Sequence, residues 1–241
     1  MKLYTDHMAY DYYANYGVLD IWNEIDLDTI ETMPSDLPND IFWAAGKLFA
    51  LQHESAPVMM MDTDLIVWNP IEHLVKGKPF VGFHREDLIE CYPEKQFLKL
   101  PPYYVFNPKW DWTVRPVNTA LAWFGDEEFK NYYTSCAIHF MRGNVEHPVE
   151  MVSQMVTAEQ RIVAMCAKEQ NVPIDTFLDC PYCVDNADYT HLWGIKMMAG
   201  HIKFNSLLCM SLLSRLKDEH PEYYQRLSLM ERFQGYIEMM K

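Results

Sequence analysis

Two aspartates carry the first chemical signal in the chain. Asp62 and Asp64 close the stretch MMMDTD, residues 59–64, one residue apart after an apolar run. Acids are among the side chains least often buried, so a pair at the end of an apolar strand has a task. Side chains at i and i+2 of an extended chain point the same way, and both carboxylates can then face one ion. Mg²⁺ and Mn²⁺ favour oxygen donors, and Mg²⁺ is commonly held by one or two carboxylates with substrate phosphates beside them. The expected chemistry is therefore a divalent cation, Mn²⁺ or Mg²⁺, at Asp62 and Asp64. The plainer alternative is that the two acids cap the segment that follows, a frequent role for Asp.

Asn118, in PVNTALAWF, is a second candidate. An amide inside an apolar strand needs hydrogen-bond partners, and a ligand is one way to supply them. The pair Cys180 and Cys183, in DCPYCV, has the spacing of a redox couple or half a zinc site. A redox pair usually opens a helix, whereas this one runs into VDNADYTHLW, and no second ligand pair is evident. The reading is two free cysteines in a loop.

The elements that must position these groups follow from pattern. KLYT (2–5) reads as a strand, HMAYDYYANY (7–16) as a helix closed by Gly17, and IWNEI (21–25) as a second strand. Asp40 is placed to cap a helix over 41–54, and PVMMM (57–61) is the strand that ends at the acids. PFVGFH (79–84) and VNTALAWFG (117–125) are further strands, separated by a Pro- and aromatic-rich loop over 85–115. Ordered loops of that length in a compact domain are usually functional. Helices are expected over 127–143 and 157–170, and YTHLWG (189–194) and HIKFNSLL (201–208) lead into a helical tail broken near Pro221. Strand–helix alternation predicts an α/β fold with a mostly parallel mixed sheet flanked by helices. Without linker composition, residues 1–241 read as one domain, with a core over 1–205 and a helical extension over 206–241.

The 241 residues carry 34 acids against 20 lysines and arginines, a formal charge of −14. Such a surface repels nucleic acid and anionic lipid, and an anionic substrate would need local cations or a metal. No run approaches the ~20 apolar residues of a membrane span, and the first residues lack a signal-peptide core. A cytoplasmic location is expected, peripheral to a membrane only through a partner.

In their order along the chain, these features resemble the nucleotide-sugar glycosyltransferases of the Rossmann-like GT-A fold, especially the retaining glycogenin and galactosyltransferase type (family 8-like). Their Asp-x-Asp motif ends a central strand. The helix IFWAAGKLFAL places Lys47 where related enzymes carry a donor-binding base. PVNTALAWF resembles the strand lining their sugar site, with Ala120 in place of the usual Gly. HLWGIK resembles their His-x-x-Gly-x-x-Lys signature, one residue shorter. TAEQRIVAMCA resembles the acidic-Gln helix that reaches the donor sugar. The resemblance covers Leu3 to about Lys203.

It implies His191 as the third metal ligand beside Asp62 and Asp64, with Lys47, Gly194 and Lys196 at the donor diphosphate. Asn118, Glu159 and Gln160 would orient the transferred sugar or balance its charge. Tyr103, Tyr104, Trp110 and Trp112 would offer rings on which an acceptor sugar stacks, the alternative being a packed aromatic cover. The implied reaction moves a sugar from a nucleoside-diphosphate donor to an acceptor hydroxyl with retention. Enzymes of this fold run through three strand units before the Asp-x-Asp strand, and this chain supplies two. The first strand and helix are therefore expected to be missing, as in a late-started version of a longer enzyme. Nucleotide binding would then be weakened, and a free sheet edge would be open to another chain, a homodimer included. Two other readings remain at this point: a catalytically impaired carbohydrate-binding or assembly protein of the same fold, and a haloacid-dehalogenase-type phosphatase. The phosphatase fits less well, because Leu65-Ile66-Val67-Trp68 follows the acids and FGDEEF is a poor later motif.

Overall fold

The computed structural model describes residues 1–38, 40–98, 100–143, 151–179, 187–192 and 202–241. It divides into two compact units, Met1–Thr190 and His191–Lys241, the division falling one residue before the end of a strand.

The first unit opens with β1 (Lys2–Tyr4), α1 (His7–Asn15) and β2 (Glu24–Asp26). Asp6 caps α1 by accepting from the Ala9 amide at 2.7 Å, satisfying one of the donors a helix start leaves open. β1 and β2 run parallel, Lys2 opposite Glu24 and Tyr4 opposite Asp26. β2 begins three residues later than the sequence predicts, because Leu19–Ile21 winds into a 3₁₀ turn.

α2 spans Ala45–His53, not 41–54. Turns precede it: the Phe42 amide donates to Pro38 O at 2.9 Å and Ala45 to Phe42 O at 2.9 Å. The expected Asp40 cap is absent, and Ala44 stands at the N-cap position with no side-chain bond.

There follow β3 (Val58–Met61), β4 (Leu65–Val67), the short α3 (Glu72–Val75), β5 (Phe80–Gly82) and β6 (Leu121–Phe124). α4 (Glu127–Gly143) has the bounds its periodicity predicts. Asp126 caps it through the Phe129 amide at 2.9 Å, and Phe129, Tyr133, Ala137, Phe140 and Met141 form its buried stripe. α5 (Met151–Val156), a π-helical turn over Thr157–Arg161 and α6 (Ile162–Gln170) run on without a break in numbering, where one plain helix over 157–170 was expected. Asn171 ends α6 in the left-handed region, φ 55°. β7 (Asp175–Thr176) and β8 (Tyr189–His191) complete the strands among the described residues.

The described strands form an α/β arrangement, but not the mostly parallel sheet the alternation suggested. The central ladder has the order β3-β6-β5-β7. β6 is antiparallel to both its neighbours, and only β5 and β7 run parallel. β1–β2 and β4–β8 are separate two-stranded sheets. The reason lies in the connections: parallel neighbours need a crossover, and β6 is inserted between β3 and β5 after the long loop. β6 reads as an unbroken apolar run because both its faces are covered. Ala122 and Phe124 enter a core with α2, α4 and α6, around Phe42, Leu48, Phe80, Tyr133 and Phe140. Leu121 enters a smaller core with Leu65, Phe83, Ala120 and Tyr189.

Gly125 ends β6 with its amide on Pro79 O at 2.8 Å. A Cβ built there would run into the Lys78 carbonyl oxygen, a backbone atom that cannot step aside. Gly125→Ala should therefore cost about 1–3 kcal/mol. Chemical denaturation would show this as a lower midpoint with an unchanged m-value; an unmoved midpoint would mean that the Lys78 carbonyl can yield to a methyl group.

The second unit contains α7 (Ile202–Glu219), α8 (Pro221–Ser228) and α9 (Glu231–Met239). The tail is helical and broken at Pro221, as read from the sequence; Pro221 stands in the first turn of α8, where its missing N–H costs nothing. Among the described residues no helix is long and apolar enough to cross a membrane.

Candidate metal centre

The β3–β6 register delivers the first acid. Met61 lies opposite Leu121, and the Asp62 amide continues the ladder to Ala120 O at 2.8 Å. The chain then turns, the Leu65 amide donating to Asp62 O at 3.2 Å, so Asp62 and Asp64 flank a tight corner. β4 leaves that corner and pairs with β8. Just beyond the strands, Trp68 donates its amide to Asp188 O at 2.8 Å and its indole Nε1 to Thr190 Oγ1 at 2.9 Å. The end of β4 thus meets the start of β8, and His191, at the far end of β8, returns to the corner. One ligand atom from each of Asp62, Asp64 and His191 lies within 4.8 Å of the others. Two ligands on opposite sides of one ion are ~4 Å apart, so small side-chain rotations close the set. Two carboxylates and an imidazole fit Mn²⁺ or Mg²⁺ better than a soft metal, which prefers thiolates.

Lys47, on α2, reaches into the same place. Its Nζ donates to Asp62 Oδ1 at 2.6 Å and pairs still more closely with Glu159 Oε1. Glu159 is buried and also accepts from Thr119 Oγ1 at 2.6 Å. Burial works against the Lys47 ammonium, but Glu159 and Asp62 outweigh it and hold its pKa up at about 12. Burial pushes the Asp62 carboxyl above its ordinary value despite Lys47, because Glu159 and Asp64 add like charge. Both directions hold together: one ammonium pairs with two acids, and Asp64 adds a third negative charge beside Asp62.

Glu159 owes its position to the π turn. π turns occur mostly as single insertions in α-helices, frequently at functional sites. Here three successive residues reach three different targets. Glu159 faces Lys47 and Thr119. Gln160 accepts from the Tyr92 hydroxyl at 2.5 Å, and its carbonyl accepts from the Val117 amide at 3.1 Å. Arg161, 2% exposed, donates Nη1 to Tyr92 O at 2.7 Å and Pro93 O at 2.6 Å, and Nη2 to Trp112 O at 2.7 Å. It also lies over the Trp112 ring, 4.9 Å from its centroid.

Asn118 is buried as its apolar strand suggests, but with partners from the chain. Its Oδ1 accepts from the Ala120 amide at 2.9 Å and its Nδ2 donates to Glu86 Oε1 at 3.1 Å. The four aromatic candidates separate. Trp110 is 7% exposed and belongs to the core, so it cannot serve as a stacking surface. Tyr104 packs on the same core and stacks on His139, and Trp112 lies edge-on to Phe106 at 4.9 Å. Tyr103 alone of the four is exposed, at 79%. The loop is chiefly an aromatic cover over the core. Gly194, Lys196, Cys180 and Cys183 lie outside the described residues.

Asp62, Asp64, His191, Lys47 and Glu159 therefore converge, while Gln160 and Asn118 stand beside them with other partners. Sequence reasoning missed Thr119, Tyr92, Glu86 and Arg161. A hydroxyl beside Asn118 in an apolar strand was the available signal for Thr119, and a charge followed by Ile162, Val163 and Ala164 was the signal for Arg161.

Fold and site together define an α/β protein with an Asp–Asp–His cluster suited to a divalent cation. The chain belongs to a family of unknown function (DUF6734), which matches residues 1–230. No curated protein and no solved structure is detectably similar.

Proposed function

We propose that this protein is a metal-dependent glycosyltransferase, moving a sugar from a nucleoside-diphosphate-sugar donor to an acceptor hydroxyl with retention of configuration. The observation that carries this reading is the convergence of His191 with Asp62 and Asp64, far from it in sequence, on a volume one ion can fill. A divalent ion there would supply Lewis-acid stabilisation of the departing diphosphate. Lys47 adds a second positive charge on the same side. Glu159, held by Thr119 and Lys47, presents a fixed carboxylate against positive charge developing on the sugar ring. A GT-A type sheet, a cytoplasmic setting and a carbohydrate acceptor belong to the same proposal.

Asp62→Asn with Asp64→Asn tests it. A ligand at a hundred times its Kd stabilises by ~2.7 kcal/mol, which at this chain length is a rise of about 5–10 °C in melting temperature. Wild type should show such a rise with Mn²⁺ and a nucleoside diphosphate together, and the double variant should show none. Equal rises in both proteins would end the metal-site reading.

A second reading, a carbohydrate-binding protein that does not transfer, is favoured by Asn118. Both ends of its amide are engaged by Ala120 and Glu86, which leaves less of it for a sugar. Mn²⁺-dependent hydrolysis of nucleotide sugars without acceptor separates the two: release of free sugar supports the transferase, and binding without release supports the second reading.

A further inference from the structure

Cations in this chain are scarce and mostly matched. Lys47 has two carboxylates. Lys130, 1% exposed, has Glu127 at 3.1 Å and the Glu54 carbonyl. Arg161 has three carbonyls on its two terminal nitrogens, with Nε alone left unbonded. Arg85 differs. It is half-buried, its Nη1 is shut away from solvent, and no hydrogen-bond partner reaches that nitrogen.

The charge that acts on it is of the same sign. Arg115 donates Nε to Glu86 O at 3.1 Å and Nη2 toward Arg85 O at 3.5 Å, and pairs with Asp87 at 3.0 Å. Burial, and then the Arg115 charge, pull the Arg85 pKa below its ordinary value. A chain with 34 acids has ample means to neutralise an arginine, yet among the described residues no acid forms an ion pair with this one. An unpaired buried donor is costly, and a bound ion or ligand is one way to remove that cost.

Placement says which partner. Arg85 bridges Val117 in an antiparallel register, and residues paired in this way project to one face. Thr119, two residues on, gives its hydroxyl to Glu159. Two residues of strand span ~7 Å, so the bridge leaves the Arg85 backbone a short way along the ladder from Thr119, the residue that holds Glu159. A guanidinium fork matches a carboxylate or a phosphate in two parallel hydrogen bonds.

We propose that Arg85 recognises an oxyanion carried by the carbohydrate substrate, a carboxylate as in a hexuronic acid or a phosphate as in a sugar phosphate. That the anion belongs to the sugar rests on the transferase reading; that Arg85 binds an oxyanion does not.

The test is calorimetry on wild type, Arg85→Gln and Arg85→Lys with three probes: glucuronate, glucose 1-phosphate and glucose. Each is titrated with Mn²⁺ present, and Mn²⁺ is titrated alone. Wild type should bind at least one anionic probe at least tenfold more tightly than glucose, and which one identifies the substituent. Arg85→Gln should lose that preference, Arg85→Lys should keep part of it, and Mn²⁺ affinity should not change. Because the guanidinium lacks a partner, Arg85→Gln should melt at or above the wild-type temperature. A wild type without anion preference, a preference that survives in Arg85→Gln, or a marked fall in that variant's melting temperature would each overturn the proposal. Loss of Mn²⁺ binding in wild type with Arg85-dependent anion binding intact would overturn the transferase reading and leave the oxyanion site standing.

Discussion

Lys47→Met should lower stability by about 3–5 kcal/mol, the usual cost of removing one partner from a buried ion pair. Methionine fills much the same volume, so the loss is electrostatic rather than a cavity. What remains is Glu159, buried against Thr119, and Asp62 beside Asp64, with the ammonium that paired with both Glu159 and Asp62 gone. The cost is largely that of carboxylates left without a counter-charge, and that makes it separable. Adding Glu159→Gln to Lys47→Met should recover much of the loss, because an amide needs no cation and can still accept from Thr119. The double-mutant cycle, read from urea midpoints, should give a coupling of ~1–3 kcal/mol. A second recovery is expected from Mn²⁺: an ion at Asp62 and Asp64 replaces part of the missing charge, so the variant should gain more from Mn²⁺ than wild type does. Additive single effects, or a Lys47→Met protein as stable as wild type, would show that Lys47 is a solvated lysine and that the cluster does not depend on it.

The sequence predicted these neighbours unevenly, for physical reasons. The elements with strong local signals came out where expected: α4 with its stripe and Asp126 cap, β3 ending at the acids, the break at Pro221. The misplaced boundaries are those where tertiary structure overrides local preference. Asp40 is a good cap in isolation, but the turns anchored on the Pro38 and Phe42 carbonyls delay α2 to Ala45. Strand direction was misjudged because alternation of elements says nothing about an insertion, and β6 enters between β3 and β5 only after the long loop. For the site, spacing alone led no further than Asp62 and Asp64. His191 became a candidate only through the order of motifs, since what brings it back is the pairing of β4 with β8. The π turn left no readable trace, because one extra residue in a helix hardly alters its hydrophobic period. Without the turn, the separate destinations of Glu159, Gln160 and Arg161 could not be foreseen.

Arg161→Met carries the second large expectation, again about 3–5 kcal/mol, from a buried network rather than an ion pair. An arginine on a helix is ordinarily a solvated charge, yet this one donates to the Tyr92, Pro93 and Trp112 carbonyls and lies against the Trp112 ring. Those carbonyls belong to the stretch over 85–115, which contains little regular structure beyond a 3₁₀ turn at Lys95–Phe97. Backbone groups in such a loop need partners when buried, and Arg161 supplies three at once from a helix that is itself fixed in the core. Methionine keeps the apolar contact with Trp112 and removes all three donors. The loss should therefore be local as well as global: faster amide exchange and faster protease cleavage between residues 85 and 115, with α4 protected until the whole chain unfolds. Tyr92 should loosen with the loop, and its hydroxyl holds Gln160, so nucleotide-sugar affinity should fall by more than Mn²⁺ affinity. Arg161→Lys separates charge from geometry, because an ammonium retains the charge but not the planar fork, and it should recover only a minor part of the stability. Exchange that rises equally across the chain, with no excess in the loop, would assign Arg161 to general core packing instead.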